Sequence, residues 1–471
     1  MTSRLTLVDK IWQPHVVMRL GAGVDLLHVD RHLLHDLAGV ISLEEMAEKG
    51  LHTLRPDLTI ATMDHAVSSD VRREAGTTAI SRRYVPTMER LCRAEGIPLF
   101  PLNDPGQGIA HVVGPEQGLV LPGLTVVCGD SHTTTHGALG ALAWGIGSSE
   151  VTHVLTTQTL SQSRPLMQRI RLDGALGAGV GAKDVILALI GRFGVAGGVG
   201  AAVEFAGPVV GAMSIEERAV LCNMTVEMGA KYAIIAPDDV TFSYLAGRPF
   251  APSGAAWDAA LASWRTLFSD PDAVFDTDRV VDCSTLGPQV TWGTTPEHVT
   301  TVDGHVPDPA AEPDATRRRL MEAALAYMGL QPNQALDTVA IDWAFIGSCA
   351  GGRIEDLRSA AAILKGRRIA PGVHGWVVPG STAVRQAAEA EGLDRVFLNA
   401  GFEWRQSGCS LCSAANGETI PAGERCISTS NRNFVGRQGP GARTHIASPA
   451  MVAASAVAGR IADPRRFGGA Q

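Results

Sequence analysis

Short apolar runs alternate along the chain with amphipathic stretches of helical period. Leu124-Thr125-Val126-Val127-Cys128 reads as a buried strand; a polar loop, Gly129 to His136, follows it, and then a Gly/Ala-rich helical stretch. Ser214-Ile215-Glu216-Glu217 has capping-box spacing and opens a helix running to about Gly229. A strand from Tyr232 to Ala236 stops at Pro237. Further on, the pattern predicts strands over Val339 to Ile346 and Gly375 to Val378, and helices over Arg353 to Leu364 and Thr382 to Glu391. Strand and helix taken in turn imply an α/β fold with largely parallel sheets. Turn clusters and shifts in composition divide the chain into three segments, 1–168, 169–287 and 288–471.

Composition narrows the class. Hydrophobic residues make up 45% of 471, so the chain is globular rather than disordered. Aromatics are few at 5% and glycines many at 52, which favours tight loops over an aromatic-rich recognition surface. The net charge of −8 argues against nucleic acid as the main partner, because counterion release needs clustered basic residues. It leaves room for a small anionic substrate held by a few arginines. No apolar run is long enough for a membrane span, and the start, Met1-Thr2-Ser3-Arg4-Leu5, lacks the apolar core of a secretion signal. The cytoplasm is the expected compartment, where paired cysteines mean metal or redox chemistry more often than disulfides.

Cys409-Ser410-Leu411-Cys412 is a Cys-x2-Cys pair in a glycine- and serine-rich loop. Alone it is ambiguous among zinc, a thioredoxin-like pair and no metal at all. Zinc wants four Cys/His ligands, and the chain has no second Cys-x2-Cys. Gly347-Ser348-Cys349 falls where a predicted strand gives way to a predicted helix, the position at which open α/β sheets form sites. One distant and two adjacent thiolates can hold three irons of a [4Fe–4S] cluster and leave the fourth open as a Lewis acid. Equally, Cys349 can be a small buried hydrophobe.

The two cysteine stretches, the first continuing into Arg353-Ile354-Glu355-Asp356-Leu357-Arg358, are similar to the cluster-binding motifs of aconitase-type hydro-lyases. Within them they look most like the isopropylmalate dehydratase large subunits. The likeness continues, in order, through Ala61-Thr62-Met63-Asp64-His65, Val127-Cys128-Gly129-Asp130-Ser131-His132-Thr133 and Ser428-Thr429-Ser430-Asn431-Arg432-Asn433-Phe434. It implies a three-domain aconitase-like core without the family's swivelling fourth domain. Cys349, Cys409 and Cys412 are then the ligands of a [4Fe–4S] cluster, and Cys92, Cys128, Cys222, Cys283 and Cys426 are ordinary thiols.

The implied reaction turns 2-isopropylmalate into 3-isopropylmalate by dehydration and rehydration, a step of leucine biosynthesis. It needs a base, an acid for the departing hydroxyl, and cations for the carboxylates of a small di- or tricarboxylate. Histidine–carboxylate pairs tune proton donors near neutral pH. By resemblance, His65 with Asp64 is the acid, and His111 with Asp130 and His132 with Glu227 are supporting pairs. Asn223 and Glu227 stand four residues apart on the predicted helix and so share a face. Arg432 and Arg437 suit bidentate carboxylate binding, with Asn431, Ser131, His35 and Arg353 as further substrate-binding candidates.

The family's base is a serine on a swivelling domain, in a Gly-Ser-Ser/Arg-rich turn that this sequence lacks. The resemblance therefore implies a heterodimer whose small subunit carries that domain and the catalytic serine. Ala350-Gly351-Gly352 departs from the family's usual Thr-Asn-Ser, and the glycines loosen the loop beside a cluster ligand. Val435 replaces a more usual acidic residue or threonine. Three readings of the glycines stand side by side: a tolerated variant, a relative for another substituted malate (homoaconitate-like, methylcitrate-like or specialised), and a weakened cluster. From other classes come an RNA-binding regulator on an apo-aconitase fold and a structural zinc protein.

Overall fold

The computed structural model describes residues 4–468; Met1, Thr2 and Ser3, part of the start read for a secretion signal, lie outside them. The chain forms two compact units. One comprises residues up to Ala66, Ala79–Ala175 and Ala196–Cys283; the other comprises Val67–Thr78, Leu176–Val195 and the chain from Ser284 onward. The fold is mixed α/β with largely parallel sheets.

The first unit is built on a five-stranded parallel sheet ordered Leu99–Phe100, Thr59–Thr62, Arg31–His35, Thr125–Cys128, Leu142–Gly145. The chain starts in the middle, winds out one way, then returns to wind the other. Strand order therefore reverses between Arg31–His35 and Thr125–Cys128, and a crevice opens at their carboxyl ends. A second parallel sheet runs Tyr232–Ile235, Ala201–Ala206, Leu166–Asp173, Thr277–Asp282. A small antiparallel sheet, Val16–Gly21, Val24–His28 and Thr159–Ser163, completes the unit's strands.

The predicted capping box forms: Ser214 and Glu217 each bond the other's backbone, and the helix Ile215–Met224 follows. It then tightens into a 3-10 turn, Thr225–Met228, closed by Gly229 at φ 80°. The Gly/Ala-rich stretch after His136 is no helix. Ser131–Leu139 is a 3-10 segment, and Leu142–Gly145 is an edge strand. A run that is buried all round carries no helical period to read. Its glycines serve close approach instead: a Cβ on Gly137 would overlap the Ala233 carbonyl.

The second unit repeats the middle-out winding. Its parallel sheet is ordered Phe402–Trp404, His374–Val377, Trp343–Ile346, Arg425–Ser428, Arg443–Ile446, and the order reverses between Trp343–Ile346 and Arg425–Ser428. The strand expected from Val339 begins only at Trp343, because the Ile341 N–H bonds to the Gly459 carbonyl rather than to a strand neighbour. Helices Ile354–Leu364 and Thr382–Ala390 lie where the pattern placed them, with Arg353 as an N-cap. Among the described residues no helix is long and apolar enough to cross a membrane.

Candidate active site

The carboxyl ends at the first switch point carry the candidate proton-handling groups. Asp64 and His65 follow Thr59–Thr62, and Asp130 and His132 follow Thr125–Cys128. Three imidazoles converge on Asp130: His65 Nε2 and His111 Nε2 each at 3.3 Å, and His132 Nδ1 at 3.5 Å. The Asp130 carboxylate also accepts the His132 N–H at 2.7 Å. Burial alone would raise its pKa, but His111, then His132 and His65, hold it well below the usual carboxylate range. On the far side of each ring stands a second partner. Asp64 bonds His65 Nδ1, Glu227 Oε1 lies 2.9 Å from His132 Nε2, and His136 Nε2 lies 3.1 Å from His111 Nδ1. All three expected histidine–carboxylate pairs are thus in place.

The 3-10 segment explains how this convergence is held. The segment is two short 3-10 pieces joined across a kink at His132 (φ −87°, ψ 17°), in keeping with the short runs usual for 3-10 winding. Here the threonine hydroxyls bond inward, Thr133 to the Asp130 carbonyl (2.5 Å) and Thr135 to that of His132 (2.6 Å). The fully buried Asn223 donates its amide to Thr135 Oγ1 at 2.8 Å. Asn223 and Glu227 do both reach this segment, but the change to 3-10 winding after Met224 means that an α-helical face does not relate them. Ser131 is exposed, its hydroxyl 3.3 Å from His132 Nδ1. His35 is buried, with Nε2 on the Gly129 carbonyl at 3.0 Å and its ring 4.5 Å from that of His65.

Asp36 escaped the sequence reading. It accepts the N–H groups of Leu37, His65 and Ala66 and so fixes the backbone on which His65 stands. Donor atoms of His35, Asp36, Asp64 and His65 lie within 4.8 Å of one another, a spacing that suits a metal ion. The Asp36 oxygens are already committed to those amides, however, so the group works as a scaffold for His65.

In the second unit, Cys349 follows Trp343–Ile346, and Asn431 follows Arg425–Ser428, the two strands flanking the reversal. The Asn431 side chain lies between two sulfurs, Oδ1 at 3.5 Å from Cys412 Sγ and Nδ2 at 3.6 Å from Cys349 Sγ. Cys409 and Cys412 belong to one turn, the Cys412 N–H donating to the Cys409 carbonyl at 3.0 Å. All three thiols are buried, and all eight cysteines are free of disulfides. Arg437 Nη2 stands 4.0 Å from Cys412 Sγ. Arg432, half-buried, sits next to Asn431, and Arg353 is buried at the start of its helix.

Ser348 and Ser410, each beside a cysteine, adopt left-handed backbone, φ 73° and 48°, which costs about 1 kcal/mol or more without glycine. Both are tied down. The Ser348 hydroxyl donates to the Thr429 carbonyl at 3.2 Å. Ser410 donates to the mostly buried Glu418 at 2.6 Å, and Glu418 also accepts from Ser68, from the Ser69 amide and hydroxyl, and from Arg405. Gly351 and Gly352 do not loosen their loop. Both are buried; a Cβ on Gly351 would overlap Thr429, and one on Gly352 would come within 2.9 Å of the Ser348 carbonyl.

The model of the Aconitase family (aconitate hydratase) matches residues 9–459. The chain is 56% identical over 460 residues to a protein named 3-isopropylmalate dehydratase large subunit 1 from Bradyrhizobium diazoefficiens, covering 98% of this chain and 96% of that one.

Proposed function

The chain belongs to the aconitase family, and we propose from that premise that it is the large subunit of a 3-isopropylmalate dehydratase. In this reading it isomerises 2-isopropylmalate to 3-isopropylmalate by dehydration and rehydration, in leucine biosynthesis. The near full-length likeness to a relative of that name carries the proposal. Residues 1–168, 169–287 and 288–471 are read as three domains, each holding most of one of the three larger parallel sheets, with the strand Leu166–Asp173 straddling the first boundary.

The buried thiols of Cys349 and Cys412 on either side of Asn431, with the buried Cys409 on the same turn as Cys412, suit a [4Fe–4S] cluster with Cys349, Cys409 and Cys412 as ligands. When bound, such a cluster supplies an iron without a protein ligand, a Lewis acid for the departing hydroxyl and a carboxylate. His65, oriented through Nδ1 by Asp64, protonates that hydroxyl from Nε2. Asp130 stays ionised, a fixed negative charge toward which the three rings are oriented. His111, His132 and Glu227 support it. Arg432 and Arg437 hold substrate carboxylates, assisted by Asn431, Arg353, Ser131, Asn223 and His35. The base is a serine on a small partner subunit. The tight fit of Gly351 against Thr429 favours the reading of Ala350-Gly351-Gly352 as a tolerated variant. Eight cysteines without a disulfide suit a reducing cytoplasm.

The test is anaerobic reconstitution with iron, sulfide and the cognate small subunit, assayed on a panel of substituted malates. Turnover of 2-isopropylmalate is expected only with both subunits, and Cys349→Ser should abolish it together with the visible absorption of the cluster. Full activity of the lone chain, or of Cys349→Ser, would sink the reading.

A further inference from the structure

Lys183, second residue of the helix Ala182–Phe193, is only 3% exposed. Its Nζ donates to the Thr429 carbonyl and, at 3.2 Å, to that of Ser430. It makes no ion pair with a carboxylate within 4.0 Å among the described residues. The ionisable groups that influence it are Asp356, Cys412, Cys349 and Asp184, while burial pulls its pKa down to about 8. Neither aspartate is dedicated to it. Asp184 accepts the N–H groups of Gly181 (2.9 Å) and Gln289 (2.8 Å), and Asp356 accepts that of Arg353 (2.9 Å). Burial raises the pKa of both, to about 6 for Asp184. An ammonium buried without a contacting carboxylate is costly unless other negative charge compensates it.

The two carbonyls that Lys183 holds open the loop of the cysteine site. The Thr429 hydroxyl accepts the Gly347 N–H at 2.8 Å and donates to the Gly347 carbonyl at 2.9 Å. Two residues beyond Thr429 comes Asn431, between the sulfurs of Cys349 and Cys412. We propose that Lys183 is the buried counter-charge to a metal–thiolate group at Cys349 and Cys412, and that its grip on the Thr429 and Ser430 carbonyls positions Asn431 between the two sulfurs. The inference rests on the iron–sulfur reading of these cysteines. Charge near a cluster and hydrogen bonds around its ligands set its potential and metal affinity.

The experiment compares full-length wild type, Lys183→Gln and Lys183→Arg, each reconstituted anaerobically with iron and sulfide. Glutamine keeps a donor for the carbonyls without the charge; arginine keeps the charge. The readouts are iron and sulfide content, cluster midpoint potential, and the rate of iron loss to a chelator. Lys183→Gln is expected to shift the potential negative and to lose iron about 10-fold faster, and Lys183→Arg to restore the wild-type potential. A wild type that binds no iron and sulfide overturns the iron–sulfur reading itself. A loaded wild type with an identical Lys183→Gln overturns only the role of Lys183. Should Lys183→Gln not fold, Lys183→Arg decides: a wild-type potential sustains the proposal, and a negative shift despite the retained charge overturns it.

Discussion

Glu418 shows how a single mostly buried carboxylate can organise the turn that carries Cys409 and Cys412. It accepts from Ser68, Ser69, Ser410 and Arg405, and its hydrogen bond to Ser410 holds a left-handed residue between two cysteines. Burial would raise its pKa, but the Ser410, Ser69 and Asn416 bonds bring it below the usual range. Its contribution is therefore present above the unfolded carboxylate pKa and fades as pH falls through the folded one. Removing one partner of a buried pair costs about 3–5 kcal/mol. Glu418→Ala is expected to lose about that much in denaturant unfolding at neutral pH, with the difference from wild type shrinking in acid; an unchanged midpoint would show that the turn holds without it. In the sequence Glu418 is one of many acidic residues, with nothing local to mark it. The catalytic candidates were legible because their types and spacing matched a known pattern; Glu418 and Asp36 were not, because their partners are far along the chain or are backbone amides. Lys183-Asp184, directly ahead of the apolar run Val185 to Ile190, was also passed over.

At the scale of elements, the sequence marked most clearly those with a local cause. The helix after Ser214 began where its capping box stands, and the strands Thr125–Cys128 and Tyr232–Ile235 fell within their apolar runs. Elements shaped by distant packing were misread. Leu142–Gly145 became a strand because the whole stretch is buried, and the loop of Gly351 is tight because Thr429 fills the space where a side chain would stand. Gly351→Ala is accordingly expected to destabilise the chain by about 1–3 kcal/mol, the range for overpacking a close-packed site. Denaturant unfolding of the apo chain measures it. A neutral substitution would return the loop to the looser state that two glycines suggest by themselves.

At the scale of the whole molecule, both five-stranded sheets wind outward from a central strand; Asp130 in one and Cys349 and Asn431 in the other follow the strands where the winding reverses, while Asp64, His65, Cys409 and Cys412 follow strands further out. Alternating patterns implied parallel sheets but did not fix strand order, which depends on which edges meet. Net charge is also a whole-chain property. At −8, binding of structured RNA would need a concentrated basic surface. A gel shift at about 0.15 M salt, where exposed charges more than about 8 Å apart are largely screened, is expected to show no complex for the apo chain; a tight complex weakened by salt would revive the regulatory reading.

The cysteine site is assembled from segments that a ribosome releases far apart in time. Lys183 precedes the Thr429 carbonyl it holds by 246 residues, and Ser69 precedes Glu418 by 349. Chains emerge from the N-terminus, and their domains generally fold as units during synthesis. Here the early segments have nothing to hold until nearly the last tenth of the chain has appeared. An ammonium destined for burial waits in water meanwhile, so the packing around these cysteines is completed only when the chain is nearly whole.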